Sequence, residues 1–263
     1  MIRGLRTAAM GVFAWAALAV PPQRPSDLEA ENAIEKSRQV ALDYARSLPD
    51  FVCTEVVSRY TDFQHRGGWL PQDMLTVKLS YFEQKEDHKL TQIDGKPTDR
   101  TYDSLGGAIG VGEFGGTLHT IFDPKSAAVF HWESWKNVRR RRAAVYSYVV
   151  PPGHSSYLLV TGTSGNLQQA VVGFHGTLEI DNDTGAVVHF TYQADNIPKP
   201  LLLDYARSTV DYDFADVGGR DYLLPAHSET EMRSPRVWMR NVMEFRHYSK
   251  FSTESTITFD PGK

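Results

Sequence analysis

The segment GFHGTLEIDNDTGAVVHFTYQAD, residues 173–195, constrains the fold more than any other part of the chain. Phe174, Leu178 and Ile180 recur at even spacing, which places them on one side of an extended strand. The polar run DNDTG then turns the chain, and Val188, Phe190 and Tyr192 share one side of the returning strand. This pattern predicts a long antiparallel hairpin with one apolar face.

The same alternation, interrupted by turn residues, recurs along most of the sequence. Long strands joined by short turns favour antiparallel neighbours over parallel crossovers. We predict strands at residues 52–60, 75–83, 88–93, 128–132, 143–150, 157–161, 170–180, 186–194, 208–214, 221–232, 242–251 and 255–259.

One amphipathic helix precedes these strands, from residue 27 to residue 48. Ser26 and Glu29 have the spacing of a capping box, and Pro49 ends the helix. Its apolar stripe must be buried against something else. We therefore predict a mainly β (α+β) fold, in which this helix packs across an open antiparallel half-barrel of about ten strands.

The first residues resemble a secretory leader. Arg3 and Arg6 precede an apolar run, and Ala17-Leu18-Ala19 has the small-residue spacing of a cleavage site. We expect a signal peptide at residues 1–19, a proline-rich spacer at 20–26 and a single half-barrel domain at 27–263. The protein is then periplasmic or secreted after cleavage near Ala19.

Charge and cysteine content exclude some classes of function. The formal net charge of −4, which becomes more negative when Arg3 and Arg6 are removed, argues against a nucleic-acid partner. Cys53 is the only cysteine, so no intramolecular disulfide is possible. Its apolar surroundings indicate a buried side chain rather than a catalytic thiol.

The glycine-rich segment Gly106–Gly116 contains a G-x-G-x-x-G spacing at Gly110, Gly112 and Gly115. A dinucleotide site needs a buried strand before these glycines and an acidic residue about twenty positions after them, and both are missing. We interpret the segment as a connection that leads into a short helix at residues 113–122. No cofactor is expected.

Candidate catalytic and metal-binding pairs are weak. His131 and Glu133 share one strand face, as do Asp211 and Asp213, but solvent-facing alternation explains both pairs. No tight metal-ligand spacing and no nucleophile motif occurs in the sequence. We therefore predict no catalytic residue and no metal site, and enzymatic activity remains the second hypothesis.

The run Arg139–Arg142 precedes a predicted strand and indicates an exposed hairpin end. Two of these arginines, Arg140 and Arg142, are candidates to hold an anionic head group. Trp132 lies nearby and is a further candidate contact for a ligand.

Several segments carry a resemblance to known proteins. ALDYARSLPDFVCTEVVSRY, SLGGAIGVGEFGGTLHTIFDP and EFRHYSKFSTESTITFD resemble a group of exported proteins of acidobacterial genomes, which implies export and no particular activity. GTLEIDNDTGAVVHFTYQAD and YDFADVGGRDYLLPAHSETEM are similar at the level of fold to LolA/LolB-type lipoprotein carriers and the lipid-binding domain of RseB. That similarity implies a leading helix over an open half-barrel that shelters acyl chains. It assigns no functional residue to a position here.

These observations favour an exported, non-enzymatic carrier or sensor. We expect a concave β-sheet cavity to bind a lipid-like or other hydrophobic ligand, or a lipoprotein, with a possible peripheral encounter with a membrane. An enzyme on the same half-barrel and a cell-envelope protein-interaction module are the alternatives. The oligomeric state stays open. The predicted ligand-binding residues are Tyr146, Tyr148, Phe174, Leu178, Phe190, Tyr192, Trp132, Arg140 and Arg142.

Overall fold

The computed structural model describes residues 24–105, 112–163 and 166–251. In these ranges the chain forms two α-helices and thirteen strands. In chain order they are α1 (Asp27–Ser47), β1 (Phe51–Asp62), β2 (Leu70–Phe82), β3 (Lys85–Ile93), β4 (Lys96–Pro97), α2 (Gly116–Phe122), β5 (Val129–Val138), β6 (Arg141–Val150), β7 (Leu158–Thr163), β8 (Asn166–Val171), β9 (Phe174–Asp181), β10 (Val187–Ala194), β11 (Tyr205–Asp216), β12 (Asp221–Arg233) and β13 (Trp238–Lys250).

Eleven strands form one antiparallel sheet in the order β4-β3-β2-β1-β13-β12-β11-β10-β9-β6-β5, and β7 pairs only with β8. The sheet does not close, because β4 and β5 are its two edges. The predicted open, mainly antiparallel architecture with two helices is therefore confirmed. We call the face that packs against the helices the inner face.

Helix α1 begins as the sequence predicts. The Ser26 hydroxyl accepts a hydrogen bond from the Glu29 amide, and the Glu29 carboxylate accepts one from the Ser26 amide at 2.8 Å. The buried side of the helix carries Ile34, Ser37 and Ala41. The stripe read from the sequence is thus the side that faces the sheet.

Tyrosines from distant strands hold α1 in place. The Tyr81 hydroxyl on β2 donates to the Ala45 carbonyl at 2.9 Å, and the Tyr146 hydroxyl on β6 donates to the Ala30 carbonyl at 3.4 Å. Near the helix end, the Tyr44 hydroxyl donates to the Leu223 carbonyl at 2.8 Å. The helix therefore lies across strands from both halves of the sheet.

The inner face carries two apolar clusters. The first joins α1 and α2 to β6, β9, β10 and β11, and its largest buried members include Tyr146, Tyr148, Phe190 and Tyr212. The second lies on β1, β2, β3 and β13 and includes Phe51, Leu79 and Phe114. Cys53 belongs to the second cluster, where burial raises the pKa of its thiol and keeps it protonated.

Three details differ from the sequence-based prediction. The strand expected at residues 170–180 is divided at Val172 and Gly173, and its first part pairs with β7 outside the main sheet. The register shifts between Val187 and His189, so Val187 rather than Val188 is buried. Helix α2 starts at Gly116, since Gly115 has φ 106° and caps the helix in a left-handed conformation. The strand expected at 255–259 and the residues expected to form a leader, 1–19, lie outside the described residues, and so do residues 106–111 of the glycine-rich segment.

Neither helix in the described residues has the length and hydrophobicity that a membrane-spanning segment requires.

Gly176 provides a test of the packing on the inner face. A Cβ atom there would lie 1.8 Å from the Thr191 carbonyl oxygen, where the Tyr148 hydroxyl donates its hydrogen bond at 2.9 Å. We expect Gly176→Ala to lower the free energy of unfolding by about 3 kcal/mol, because backbone atoms must move. Gly68→Ala is the matched control, since its Cβ would meet nothing within 4 Å. Equal denaturation midpoints for the two variants would contradict the packing described here.

Candidate ligand-binding site

A gap on the rim of the sheet follows from unequal strand lengths. β9 and β10 have 8 residues each, whereas β11 has 12 and β12 has 13. Pairing of β10 with β11 begins at His189 and Asp211, so the last residues of β11 continue beyond their neighbour. The β5–β6 hairpin is also longer than β9 and β10, and its end reaches across the gap.

Arg139 closes this gap. It lies in a two-residue turn in which Arg139 and Arg140 both have positive φ, 48° and 68°. Its guanidinium donates to the Tyr212 carbonyl at 2.5 Å and lies 3.1 Å from the Asp213 carboxylate. The hairpin end is therefore tied to β11 by a charge-assisted contact.

The gap encloses a cavity of about 250 Å³, which we call the rim cavity. Its walls come from three hairpins and are mainly apolar. They consist of Val138, Arg139, Arg141, Ala143, Asp181, Thr184, Ala186, Val188, Phe214 and Leu223. Val188 reaches this wall because the bulge in β10 keeps it out of the apolar core.

Phe214 and Leu223 are register partners on β11 and β12. Phe214 follows Tyr212 on the inner face by the alternation of β11, but it lies past the region that the helices cover. Its side chain is 59% exposed. A large aromatic ring in this position exposes apolar surface to solvent at the mouth of a cavity.

A second, more open depression of about 420 Å³ adjoins the rim cavity and shares Phe214 with it. Its lining is more polar and comes from β11, β12 and β13. It consists of Asp213, Phe214, Ala215, Asp216, Leu224, Pro225, Ala226, Phe245, Arg246, His247 and Tyr248.

Asp181 organises the turn at the back of the rim cavity. Its carboxylate accepts hydrogen bonds from the Thr184 amide at 2.8 Å, the Thr184 hydroxyl at 2.9 Å and Arg141 at 2.9 Å. Burial acts to raise the pKa of Asp181, but the hydrogen bonds from Thr184 and the charge of Arg141 outweigh it and lower the pKa. The carboxylate is therefore ionised and holds Arg141 at the cavity wall.

The aromatic and aliphatic residues predicted to bind ligand lie in the first apolar cluster. Tyr146, Tyr148, Phe174, Leu178, Phe190 and Tyr192 are all buried there. They pack on one another and are covered by the helices. The rings of Phe190 and Tyr192 are stacked, with their centroids 5.9 Å apart. In this arrangement they form a packed floor beneath α1, and none of them lines the rim cavity or the adjoining depression. Their role in binding stays a prediction.

The three other predicted residues lie on the β5–β6 hairpin. Trp132 packs partly buried against the first cluster, and Arg142 lies over the Trp135 ring at 3.7 Å. Arg140 is exposed in the turn. The two arginines that line the rim cavity are Arg139 and Arg141, the other members of the same run.

The alternative catalytic pairs lie on the outer face. Asp211 is 2.7 Å from His189, and this hydrogen bond lowers the pKa of Asp211. Glu133 accepts from the Ser147 hydroxyl at 2.5 Å, and His131 is exposed. Among the described residues, no group of three or more His, Cys, Asp or Glu side chains is arranged to hold a metal ion.

A partly buried charged group on the inner face was not predicted. His88 lies between two carboxylates, with Nδ1 3.0 Å from Glu55 and Nε2 3.3 Å from Glu86. Burial acts to lower the pKa of His88, but the hydrogen bonds to Glu55 and Glu86 raise it to about 10. The imidazole is therefore charged at neutral pH. The signal in the sequence was Glu55, which occupies an inner-face position of β1 between Cys53 and Val57.

Glu113 adjoins this group and is itself buried. Its carboxylate accepts from the Ser228 hydroxyl at 3.3 Å, and its carbonyl accepts from the Tyr212 hydroxyl at 2.6 Å. Burial raises the pKa of Glu113 to about 7, and the negative charges of Glu86 and Glu55 act in the same direction. Glu113 thus anchors the segment before α2 to β11 and β12.

No family model and no curated protein matches the chain. Solved structures do. A LolA superfamily protein from Nitrosomonas europaea matches with 9% identity over 88% of this chain and 97% of its own, with a TM-score of 0.36. An outer membrane lipoprotein-sorting protein domain from Vibrio parahaemolyticus has the same identity and TM-score, over 87% and 95%. A DUF1329 family protein from Desulfovibrio piger matches with 9% identity over 87% and 94%, with a TM-score of 0.35.

The LolA superfamily named from the sequence is therefore among the matches. TM-scores of this size are too low to carry a conclusion about the ligand, which must rest on the geometry of this chain.

The buried Glu113 gives stability a defined pH dependence. Its pKa is about 7 in the folded protein against an ordinary value of 4.5. The associated stabilisation is complete below the ordinary value and is lost as the pH rises through about 7. We expect Glu113→Gln to be about 2 kcal/mol more stable than the wild type at pH 8, with the difference vanishing towards pH 4.5.

Denaturant titrations at both pH values measure this difference. Glu31→Gln, at an exposed position of α1, is the control and should follow the wild type throughout. A Glu113→Gln variant that gains nothing at pH 8 would show that the carboxyl is ionised without penalty.

Proposed function

We propose that this protein is an exported, non-enzymatic carrier or sensor that binds a hydrophobic ligand at the rim cavity. The observation that carries the proposal is Phe214, whose ring is 59% exposed at the mouth of an apolar cavity. Export is supported by the basic start, apolar run and Ala-Leu-Ala site of the first nineteen residues.

The rim cavity supplies an apolar driving force for binding. Covering the exposed part of Phe214 contributes about 1 to 2 kcal/mol, and Val188, Ala186 and Leu223 add to it. The walls come from three separate hairpins, so a bound molecule contacts all of them at once. This arrangement suits an aliphatic chain better than a polar ligand.

The size of the site indicates an elongated ligand. A volume of about 250 Å³ is below the roughly 300–1,000 Å³ of pockets that hold a whole small molecule. The adjoining depression of about 420 Å³ extends the site past Phe214 towards polar side chains. We infer that one apolar segment occupies the rim cavity while the remainder lies along the depression.

The arginines favour an anionic group on the ligand. Arg139 is about half exposed and pairs with the equally exposed Asp213, so a carboxylate or phosphate can take the place of Asp213. Arg141 pairs with the buried Asp181 in the β9–β10 turn, so we do not assign it a ligand contact. We therefore assign recognition of the anionic end to Arg139.

The predicted interior residues give a second possible position for the ligand. To reach Tyr146 or Phe190, a ligand would have to displace α1, which is held by the Tyr81, Tyr146 and Tyr44 hydroxyl groups. The rim cavity requires no such movement. We favour the rim cavity for this reason.

Replacement of Phe214 tests the proposal. The probe is cis-parinaric acid, a fluorescent fatty acid with a carboxylate. We expect Phe214→Ser to weaken its binding about tenfold, because the ring supplies much of the exposed apolar wall. Phe63→Ser is the matched control, since Phe63 is 66% exposed on the β1–β2 connection. Equal affinities for the two variants, or no binding by the wild type, would remove the fatty-acid proposal.

A reversible cross-link distinguishes the two positions. A Cβ atom at Gly185 would lie 2.9 Å from Cγ of Lys36, so Lys36→Cys with Gly185→Cys brings two thiols within reach of a disulfide between α1 and the β9–β10 turn. We expect oxidised and reduced forms to bind cis-parinaric acid equally. Loss of binding on oxidation, with recovery on reduction, would show that binding requires α1 or the β9–β10 turn to move and would overturn the rim assignment, which needs neither to move.

A further inference from the structure

The β7–β8 hairpin is an insertion with a surface of its own. It lies between β6 and β9 in the chain, although β6 and β9 pair directly from Val150 and Phe174 onward. Its inner side packs on a third apolar cluster that includes Leu159, Leu201 and Ala206. The Thr161 hydroxyl donates to the Leu201 carbonyl at 2.9 Å, which fixes the hairpin to the connection before β11.

The outer side of this hairpin is mainly aliphatic. Leu158 is opposite Val171, and Leu167 is opposite Gly162, so the side chains of alternate residues project to the same side. The exposed fractions are 49% for Leu158, 47% for Val160, 60% for Leu167 and 51% for Val171. A solvent-facing hairpin side normally carries polar residues, but this one has a single polar side chain, Gln169 opposite Val160, among four aliphatic ones.

Charge is absent from this part of the chain. No Lys, Arg, Asp or Glu occurs from residue 143 to residue 178, in a sequence that is 23% charged overall. The surface formed by Leu158, Val160, Leu167 and Val171, which we call the hairpin face, therefore combines aliphatic side chains with a segment that has no Lys, Arg, Asp or Glu to keep it in water.

We propose that the hairpin face docks on the interfacial region of a lipid bilayer. A second copy of the chain is a poorer occupant, because a stable dimer needs about 20–30 residues a side and the hairpin face has four. A protein partner is also less suited. The residues that anchor protein interfaces are mainly Trp, Tyr and Arg, while Leu and Val are under-represented, and the hairpin face has only Leu and Val.

The depth of docking is limited by the backbone. β7 and β8 pair only with each other, so the outer edge of each strand has N–H and C=O groups that need water. The hairpin therefore lies in the headgroup region with its aliphatic side chains directed towards the acyl chains. Because the face has no cationic side chain, the attachment depends little on salt or on anionic lipid.

Membrane docking goes beyond the rim-cavity proposal and does not depend on it. None of the rim-cavity residues belongs to the hairpin face. The two proposals can therefore fail separately. Phe214→Ser, which weakens fatty-acid binding, should bind vesicles as well as the wild type does.

Co-sedimentation with vesicles tests the hairpin face. We expect the chain 24–263 to bind vesicles of phosphatidylethanolamine and phosphatidylglycerol, and phosphatidylcholine vesicles nearly as well. The double variant Leu158→Ser with Leu167→Ser should reduce partitioning about tenfold. Phe63→Ser with Leu70→Ser removes two equally exposed apolar side chains elsewhere and should leave partitioning unchanged. Thermal denaturation confirms that each variant is folded.

A local probe gives an independent readout. Leu167→Cys is labelled with an environment-sensitive fluorophore, and the buried Cys53 thiol remains unlabelled in the folded protein. Vesicles should shift its emission to the blue, while the same label at Phe63→Cys should not respond. No shift with vesicles, or an equal loss of partitioning in both double variants, overturns the proposal. A shift that grows with protein concentration in the absence of lipid would assign the face to self-association and overturn it as well.

Discussion

The docking of α1 on the inner face is the interaction on which the rest of the structure depends. An open sheet with Tyr146, Phe190 and Tyr212 on one face cannot remain in water without a cover, because so large an aromatic surface would aggregate. The stripe of α1 covers it, and tyrosine hydroxyl groups from β2 and β6 bind main-chain carbonyls at opposite ends of the helix. These hydrogen bonds give partners to polar atoms that would otherwise be buried without one. The helices thereby cover the centre of the inner face and leave the two edge strands of the sheet unpaired on their outer sides.

The features that point to function lie where this cover ends. β11 and β12 are longer than β9 and β10, so the ring of Phe214 extends past the helices and faces a gap that Arg139 spans, while the carbonyl of its partner Leu223 still accepts from Tyr44 of α1. The cavity is therefore a consequence of strand lengths, and both arginines on its border come from the β5–β6 hairpin. The large residues of the first apolar cluster pack on one another beneath the helices, and we place the proposed ligand site at the rim.

The two proposals concern surfaces with different chemistry. The rim cavity joins an aromatic ring and an arginine, which suits a chain with an anionic end, whereas the hairpin face has aliphatic side chains alone, which suits a lipid interface. In the other half of the sheet, His88 joins β1 and β3 through Glu55 and Glu86, while hydrogen bonds from Ser228 and Tyr212 hold Glu113 and the segment before α2. Such a group is sensitive to its partners, since removing one leaves an uncompensated buried charge.

The sequence by itself determined the local elements of this protein. Alternation gave the β9–β10 hairpin and most other strands, and the capping box of Ser26 and Glu29 gave the start of α1, because both depend on neighbouring residues alone. Only the tertiary structure decided that the predicted aromatic residues pack beneath α1, that Arg139 and Arg141 border a cavity, and that β7 and β8 leave the main sheet. Alternation shows which side chains share a face of a strand. What covers that face, where the neighbouring strand ends, and which charge from a distant strand meets Glu55 depend on register and strand length, and these are set by contacts far apart in the chain.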